Sequence, residues 1–351
     1  MNSRKMKNIS LIVMLIAGLL CASSCSRGPE KIIEDSRFFM GTVVEIKVSI
    51  DPAKYDEARA KDAINRAFDE IKRIEDIYSV HIDSSEISRI NKLRKNERIQ
   101  ISDGVFNLIH KTLDYSVKTR GAFDITVKPL VDLWGQASKA NKLPDEYEFK
   151  RALGRVGYQN VVLDDVVRTI HFKKDGMSID LGGAAKGYAT DRAARVLEEN
   201  GIENALVNSG GDMYCLGKKT AHELWRVGVR HPRDGNKVFL EIALKDKAID
   251  TSGDYERQFV INGKKYSHII DPRTGYPADN GVVSASVIAA NSTTSDILAT
   301  AMCVLGEEGF SIITGESGDT DAVLVKEDDG CLAVEMSEGI RDRYDISEET
   351  L

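Results

Sequence analysis

The chain has 351 residues, with 48 Lys and Arg against 55 Asp and Glu, for a formal net charge of −7. The acidic balance carries no basic footprint for nucleic acid, so a nucleic-acid partner is excluded as an expectation. At 42 % hydrophobic and 29 % charged, the composition is that of an ordinary globular protein near the upper size for one hydrophobic core.

The N-terminus reads as a leader. Arg4, Lys5 and Lys7 form a basic start, and Ile9 to Leu20 form an apolar stretch. That stretch is short of the roughly 20 residues a membrane span needs, and it suits a secretory signal. Ala22-Ser23-Ser24 runs into Cys25 as in a bacterial lipoprotein processing site, so residues 1–24 are expected to be removed and Cys25 to carry lipid. The expected localisation is an exported bacterial lipoprotein, membrane-anchored and facing the periplasm. Ser26, where an Asp would direct inner-membrane retention, favours the outer membrane. Residues 25–36 read as a polar tether and 37–345 as a single domain. Cys215, Cys303 and Cys331 remain, an odd count without zinc-ligand spacing, which argues against a disulfide framework. Cys215 and Cys303 sit in apolar runs and read as packed thiols.

Along the domain, Phe38 to Ile50 alternates as a strand. Asp56 to Ile77 has Ala60, Ile64, Ala67, Ile71, Ile74 and Ile77 at helical spacing. A second helix is expected from Val105 to Lys118, stopping before Gly121. Met177 to Asp180, Gly182-Gly183 and Ala184 to Glu199 read as strand, glycine turn and helix, ended by Gly201. Strands are predicted at Ala205–Asn208, Met213–Leu216, Arg226–Val229, Val238–Ala243 and Val283–Ile288, a buried helix at Ser295–Leu305, and a closing hairpin from Ala322–Lys326 and Cys331–Val334. The acidic stretch from Glu335 to Glu349 reads as a solvated end. Helices alternate irregularly with antiparallel hairpins, which makes the fold class α+β, with mixed, largely antiparallel sheets and packed helices, rather than doubly wound.

The densest chemistry lies between Ala248 and Pro277. Asn262-Gly263 takes the positive φ angles of a type I′ turn, so Arg257–Ile261 and Lys264–Ile270 read as two short strands. Ser252 and Glu256 then fall at one end, and His268, Asp271 and Arg273 on or just past the return strand. Two ordinary hairpin ends would give the same pattern. Asp180 to Tyr188 feeds a glycine turn into a helix N-terminus, where free N–H groups and Lys186 could hold an anion; an ordinary strand-to-helix turn has the same composition. Asp296 and Thr300 share a helix face, either as oxygen ligands for a hard cation or as a cap and a back-bonded hydroxyl. Phe123 and Asp124 could stack on and hydrogen-bond a ligand, or belong to the core.

Taken together, Met40-Gly41-Thr42, Ser79 with Ser85 to Asn91, Gly121 to Gly135, Asp180 to Tyr188, Leu206 to Gly217, Thr251 to Arg257, His268 to Pro277 and Asp296 to Gly306 resemble, in order, the ApbE-type FAD:protein FMN transferases. The resemblance implies an exported, Mg²⁺-dependent enzyme. Such an enzyme moves FMN from FAD to a Thr or Ser hydroxyl of a partner protein, a redox-pump or electron-transfer subunit, and releases AMP. Some members instead hydrolyse FAD to FMN and AMP, and a flavin-holding lipoprotein without turnover is the non-enzymatic alternative. By position the resemblance implies FAD contacts at Met40, His81, Ala122, Phe123, Asp124, Asp180, Lys186, Ser252, Glu256 and Ile270. It implies metal ligands at Asp296, Thr300 and the carbonyl of Gly183, and it places His268 at the reacting phosphate; an imidazole there is the candidate base, its proton passing either to Asp271 or to solvent. Two positions depart from the family pattern: Ser79-Val80-His81 stands where Ser-Thr-Tyr is usual, and Ala184 where Ile is common. The chain lacks the Asp-x-x-Thr-Gly-Ala-Thr acceptor sequence, so it is not expected to be its own substrate.

Overall fold

The computed structural model describes residues 30–255, 258–315 and 319–348. The leader, Cys25 and Glu256 lie outside the described residues. In chain order the elements are β1 (Lys31–Phe39), β2 (Thr42–Ile50), α1 (Glu57–Tyr78), α2 (Glu86–Ile90), β3 (Ile99–Gln100), α3 (Asp103–Lys118), α4 (Lys128–Ala140) and α5 (Glu146–Leu153). They continue with β4 (Val161–Asp164), β5 (Thr169–Phe172), α6 (Ala185–Glu199), β6 (Ala205–Ser209), β7 (Asp212–Leu216), β8 (Trp225–Arg230), β9 (Val238–Leu244) and β10 (Lys247–Gly253). The last are β11 (Gln258–Ile261), β12 (Lys264–Ser267), β13 (Val282–Ala289), α7 (Ser292–Leu305), α8 (Glu307–Gly315), β14 (Asp321–Asp328), β15 (Cys331–Met336), α9 (Glu338–Arg343) and β16 (Ile346–Glu348).

An antiparallel eight-stranded sheet, in the order β1-β2-β6-β7-β10-β13-β14-β15, is the frame. The α1 stripe of Ala60, Ala63, Ile64, Ala67, Phe68, Ile71 and Ile74 packs with α6 onto one face of it, and Asp56 caps α1 by accepting from the Ala58 N–H. Helices α7 and α8 cover the same side further along, over Ala285, Val287, Ala322 and Leu324. The opposite face is closed by the three-stranded sheet β16-β9-β8, through Trp225, Val227, Leu240 and Ile242 against Ile249, Ile288, Val323 and Val325. A central strand covered on both faces has no solvent side, which is why β13 is buried from Val283 to Ala289, Ser284 and Ser286 included.

The α+β expectation holds, with four local corrections. Residues 31–36 are not tether: Lys31 to Phe39 pairs with Ile50 to Thr42, residue for residue. The segment from Met177 to Asp180 is not a strand. The Asn91 side chain stands in for a neighbouring strand, donating to the Ile179 carbonyl and accepting from its N–H at 2.8 and 2.7 Å. Helix α7 starts at Ser292, because Asn291 accepts from the Thr294 N–H and caps it. The acidic C-terminus is not a solvated end: α9 seats Ile340 in the core, and β16 pairs with β9.

Candidate active site

The site forms where the turn before α6 meets the face of α7. Asp180 donates its N–H to the Ile125 carbonyl and accepts at Oδ1 from the Gly182 N–H. That fixes the turn, and Gly183 follows, half-buried, two residues before the start of α6. A Cβ on Gly183 would stand 3.1 Å from Cε2 of Phe123 and 3.2 Å from Oγ1 of Thr300, so the backbone there lies against both. Four residues on, α6 crosses α7 at Gly187. A Cβ on Gly187 would run into the Ser292 carbonyl and come within 2.9 Å of Asp296 Cβ. The Gly187 N–H instead donates to Asp296 Oδ2 at 3.1 Å. Asp296 lies in the helix interior, not at its cap, and is 3 % exposed.

Strand β10 completes the spot. Ile249 points to the second sheet and Ala248, Asp250 and Ser252 alternate towards the helices. Ser252 Oγ is 3.4 Å from Thr300 Oγ1. Thus Phe123, Gly183, Ser252, Asp296 and Thr300, from four separate stretches of sequence, converge. A buried carboxylate, two hydroxyls and a nearby backbone carbonyl form an all-oxygen donor set, which suits a hard divalent cation. Among the described residues no group of three or more His, Cys, Asp or Glu is placed to hold a metal, so a nitrogen- or sulfur-rich centre does not form here.

Behind this spot lies an acidic layer that the sequence did not reveal. Asp250 is fully buried and accepts from the Met213 N–H and from the hydroxyls of Ser292 and Ser295, at 2.8 to 3.0 Å. Burial and the neighbouring carboxylates of Asp212 and Asp296 hold its carboxyl well above the usual carboxylate range. Asp212, 1 % exposed, pairs with Lys186 at 2.5 Å. Burial raises its pKa against the pull of the Lys186 ammonium. Lys186, expected to help hold an anion, is therefore tied to Asp212 at the start of α6. Asp191 receives the N–H groups of Ser292 and Thr293 and the Thr293 hydroxyl, tying α6 to the first turn of α7. The only hint of this layer was Asp at period-two spacing with Ser252 in a polar run.

The other expected residues are placed as follows. The Asn262-Gly263 turn forms, with φ of 51° and 77°, between β11 and β12. His268 is half-buried, one residue past β12. Asp271, one of the two expected destinations of the proton, has both oxygens engaged by Arg273, at 2.9 Å to its N–H and Nε and 2.8 Å to its second terminal nitrogen. The pairing raises the Arg273 pKa and makes Asp271 an anchor of the turn. That turn is held from below by the Trp134 indole N–H, which donates to the Gly275 carbonyl at 2.9 Å. Ile270 is buried and bridged to Pro277. Ala122 is buried beside Phe123. Asp124, expected to hydrogen-bond a ligand, instead accepts from the Thr126 N–H and hydroxyl and from the Tyr158 N–H, and burial raises its pKa. Met40 adopts φ of 52° at the β1–β2 turn and donates its N–H to Glu75. His81 is exposed, its N–H donating to Ser79 Oγ.

A model of the ApbE family matches residues 40–324. An FAD:protein FMN transferase of Klebsiella pneumoniae is 33 % identical over 291 residues, 83 % of this chain and 88 % of that one. One from Treponema pallidum is 32 % identical over 344 residues, 93 % of each. Among solved structures, the ApbE protein of Thermotoga maritima superposes with a TM-score of 0.79 at 37 % identity, covering 89 % of this chain and 98 % of its own. The flavin transferase ApbE of Vibrio cholerae superposes with a TM-score of 0.78 at 28 % identity, covering 90 % and 99 %.

Proposed function

The chain belongs to the ApbE family, and on that premise we propose that it is an FAD:protein FMN transferase. It attaches FMN, taken from FAD, to a Thr or Ser hydroxyl of a partner protein of the redox-pump or electron-transfer kind and leaves AMP. The observation that carries the reading is the meeting of Gly183, Asp296, Thr300 and Ser252 at the N-terminus of α6.

The chemistry follows from that placement. Breaking a pyrophosphate gathers negative charge on the bridging and terminal oxygens, so catalysis is mostly positioning and electrostatics. Asp296, Thr300 and the Gly183 carbonyl would hold Mg²⁺, which supplies charge neutralisation to the diphosphate. The positive dipole end of α6 favours the same anion. Lys186 adds charge from a fixed position, because its ammonium donates to Asp212. Phe123 offers an apolar wall at Gly183. His268 takes the proton of the acceptor hydroxyl as its oxygen bonds to the FMN phosphorus and the bond to the AMP oxygen breaks. Asp271 is held by Arg273, so it keeps the loop in place and the proton leaves His268 to solvent. Met40 and His81 bind the flavin half from the β1–β2 and α1–α2 connections. The enzyme is anchored through lipid on Cys25 and faces the periplasm.

The test is a gel. Enzyme, FAD, Mg²⁺ and an acceptor domain carrying Asp-x-x-Thr-Gly-Ala-Thr are incubated, and the denatured acceptor band is inspected for flavin fluorescence. A fluorescent band that disappears with chelator supports the transferase. Free FMN and AMP with a dark acceptor band would make the protein an FAD pyrophosphatase instead.

A further inference from the structure

We propose that the outer edge of β12 is the docking site for the acceptor, which adds an extended segment to it as a third strand and so brings its hydroxyl to His268. The inference rests on the transferase reading and goes beyond it by naming the surface and the form of the partner. The hairpin β11–β12 is a sheet of two strands, paired in the register Ile261↔Lys264, Phe259↔Tyr266, Val260↔Lys265 and Gln258↔Ser267. A two-residue turn makes the pair next to it hydrogen-bonded, so the N–H and C=O groups of Val260 and Lys265 point away from the ladder.

The two outer edges are treated differently. On β11, the Ser138 hydroxyl accepts from the Val260 N–H and donates to the Val260 carbonyl, both at 3.2 Å, and Asn141 Oδ1 accepts from the Asn262 N–H at 2.6 Å. The end of α4 thereby closes that edge. On β12, the outward backbone groups of Lys265 and Ser267 meet no partner among the described residues. Tyr266 packs inward with Phe259 against the cluster around Trp134, so the edge is held on a rigid base. The strand then runs directly into His268.

Outward groups at Lys265 and Ser267 have the two-residue spacing that an added strand reads. Pairing through the main chain asks little of the partner's side chains beyond one hydroxyl in reach of the base. Lys265 on the edge opposes pairing with a second copy of this chain, whose own lysine would face it. Exposed Lys264 and Lys265 favour a segment that carries carboxylates.

Lys265→Pro tests the edge, since it removes an outward N–H and leaves the hairpin's own ladder bonds in place. With the acceptor domain above, KM for acceptor should rise about tenfold or more, as expected for losing backbone hydrogen bonds. FAD affinity, read by flavin fluorescence, and FMN release to water should stay near wild type. Lys265→Ala keeps the N–H and should raise KM far less. Equal losses in the two variants, or an unchanged KM in Lys265→Pro, overturn the proposal. If Lys265→Pro does not fold, a synthetic acceptor peptide N-methylated at successive positions decides: loss at alternate positions supports strand addition, and uniform or absent loss overturns it. A dark acceptor with wild-type enzyme would instead overturn the transferase activity, and the docking edge with it.

Discussion

Single side chains divide the labour between binding and chemistry. His268 follows the hairpin, and as the proposed base it would act only once FAD is seated, so His268→Ala should bind FAD nearly as well as wild type. Its transfer rate should fall ~10²–10⁴-fold, the usual cost of a lost general base. Loss of FAD affinity at an unchanged maximal rate would instead make His268 a binding residue. The exposed His81 is the counterpart, because His81→Ala should weaken FAD binding and His81→Tyr should restore it. Asp250 offers a pH test. Its carboxyl is raised in the folded state, so the fold holds a proton more tightly than the unfolded chain does. Stability is therefore lost as pH rises from about 4, the ordinary Asp value, through the folded pKa. Asn keeps an acceptor for the Met213 N–H and carries no charge to bury. Asp250→Asn in chelator should accordingly melt higher than wild type at neutral pH, by a few degrees at ~1 kcal/mol. The advantage should shrink towards pH 4; a constant difference across that range would show that charge burial is not its cause.

At the scale of elements, the site depends on how closely α6 and α7 approach. Gly187 lets the first turn of α7 lie against α6, and Asp191 ties the two together through Ser292 and Thr293. Gly187→Ala pushes a methyl group into the Ser292 carbonyl and Asp296 Cβ, neither of which is a flexible side-chain end. Overpacking of this kind costs typically ~1–3 kcal/mol. It should also move Asp296 and Thr300 away from Gly183, so calorimetry should show weaker Mg²⁺ binding along with the lower melting temperature. A lower melting temperature with unchanged Mg²⁺ affinity would separate the helix crossing from the metal site.

For the whole molecule, the proposed lipid anchor on Cys25 carries a prediction about placement at the membrane. Strand β1 begins at Lys31, six positions after Cys25 in the sequence, and runs along the edge of the large sheet. The catalytic domain is expected to stay near the bilayer, within reach of membrane-bound acceptors. Two or three acyl chains hold firmly where one gives only marginal binding. Cys25→Ser should therefore move the protein from the membrane to the soluble fraction and abolish incorporation of labelled fatty acid; label retained in the variant would overturn the anchor. Local elements were legible because helix and strand periodicities are written in consecutive residues, as in α1, α6, the β14–β15 hairpin and the Asn262-Gly263 turn. Asp296 and Thr300 were legible as a pair because they share one helical face. Their approach to Gly183 and Ser252, the burial of Asp250 beside Asp212, the Arg273 grip on Asp271 and the open edge of β12 were not. Each depends on residues between 2 and 122 positions apart, and on which side of a strand faces a helix. Only packing of the sheet between its two covering layers fixes that choice, because a strand's pattern states which residues share a face but not what the face meets.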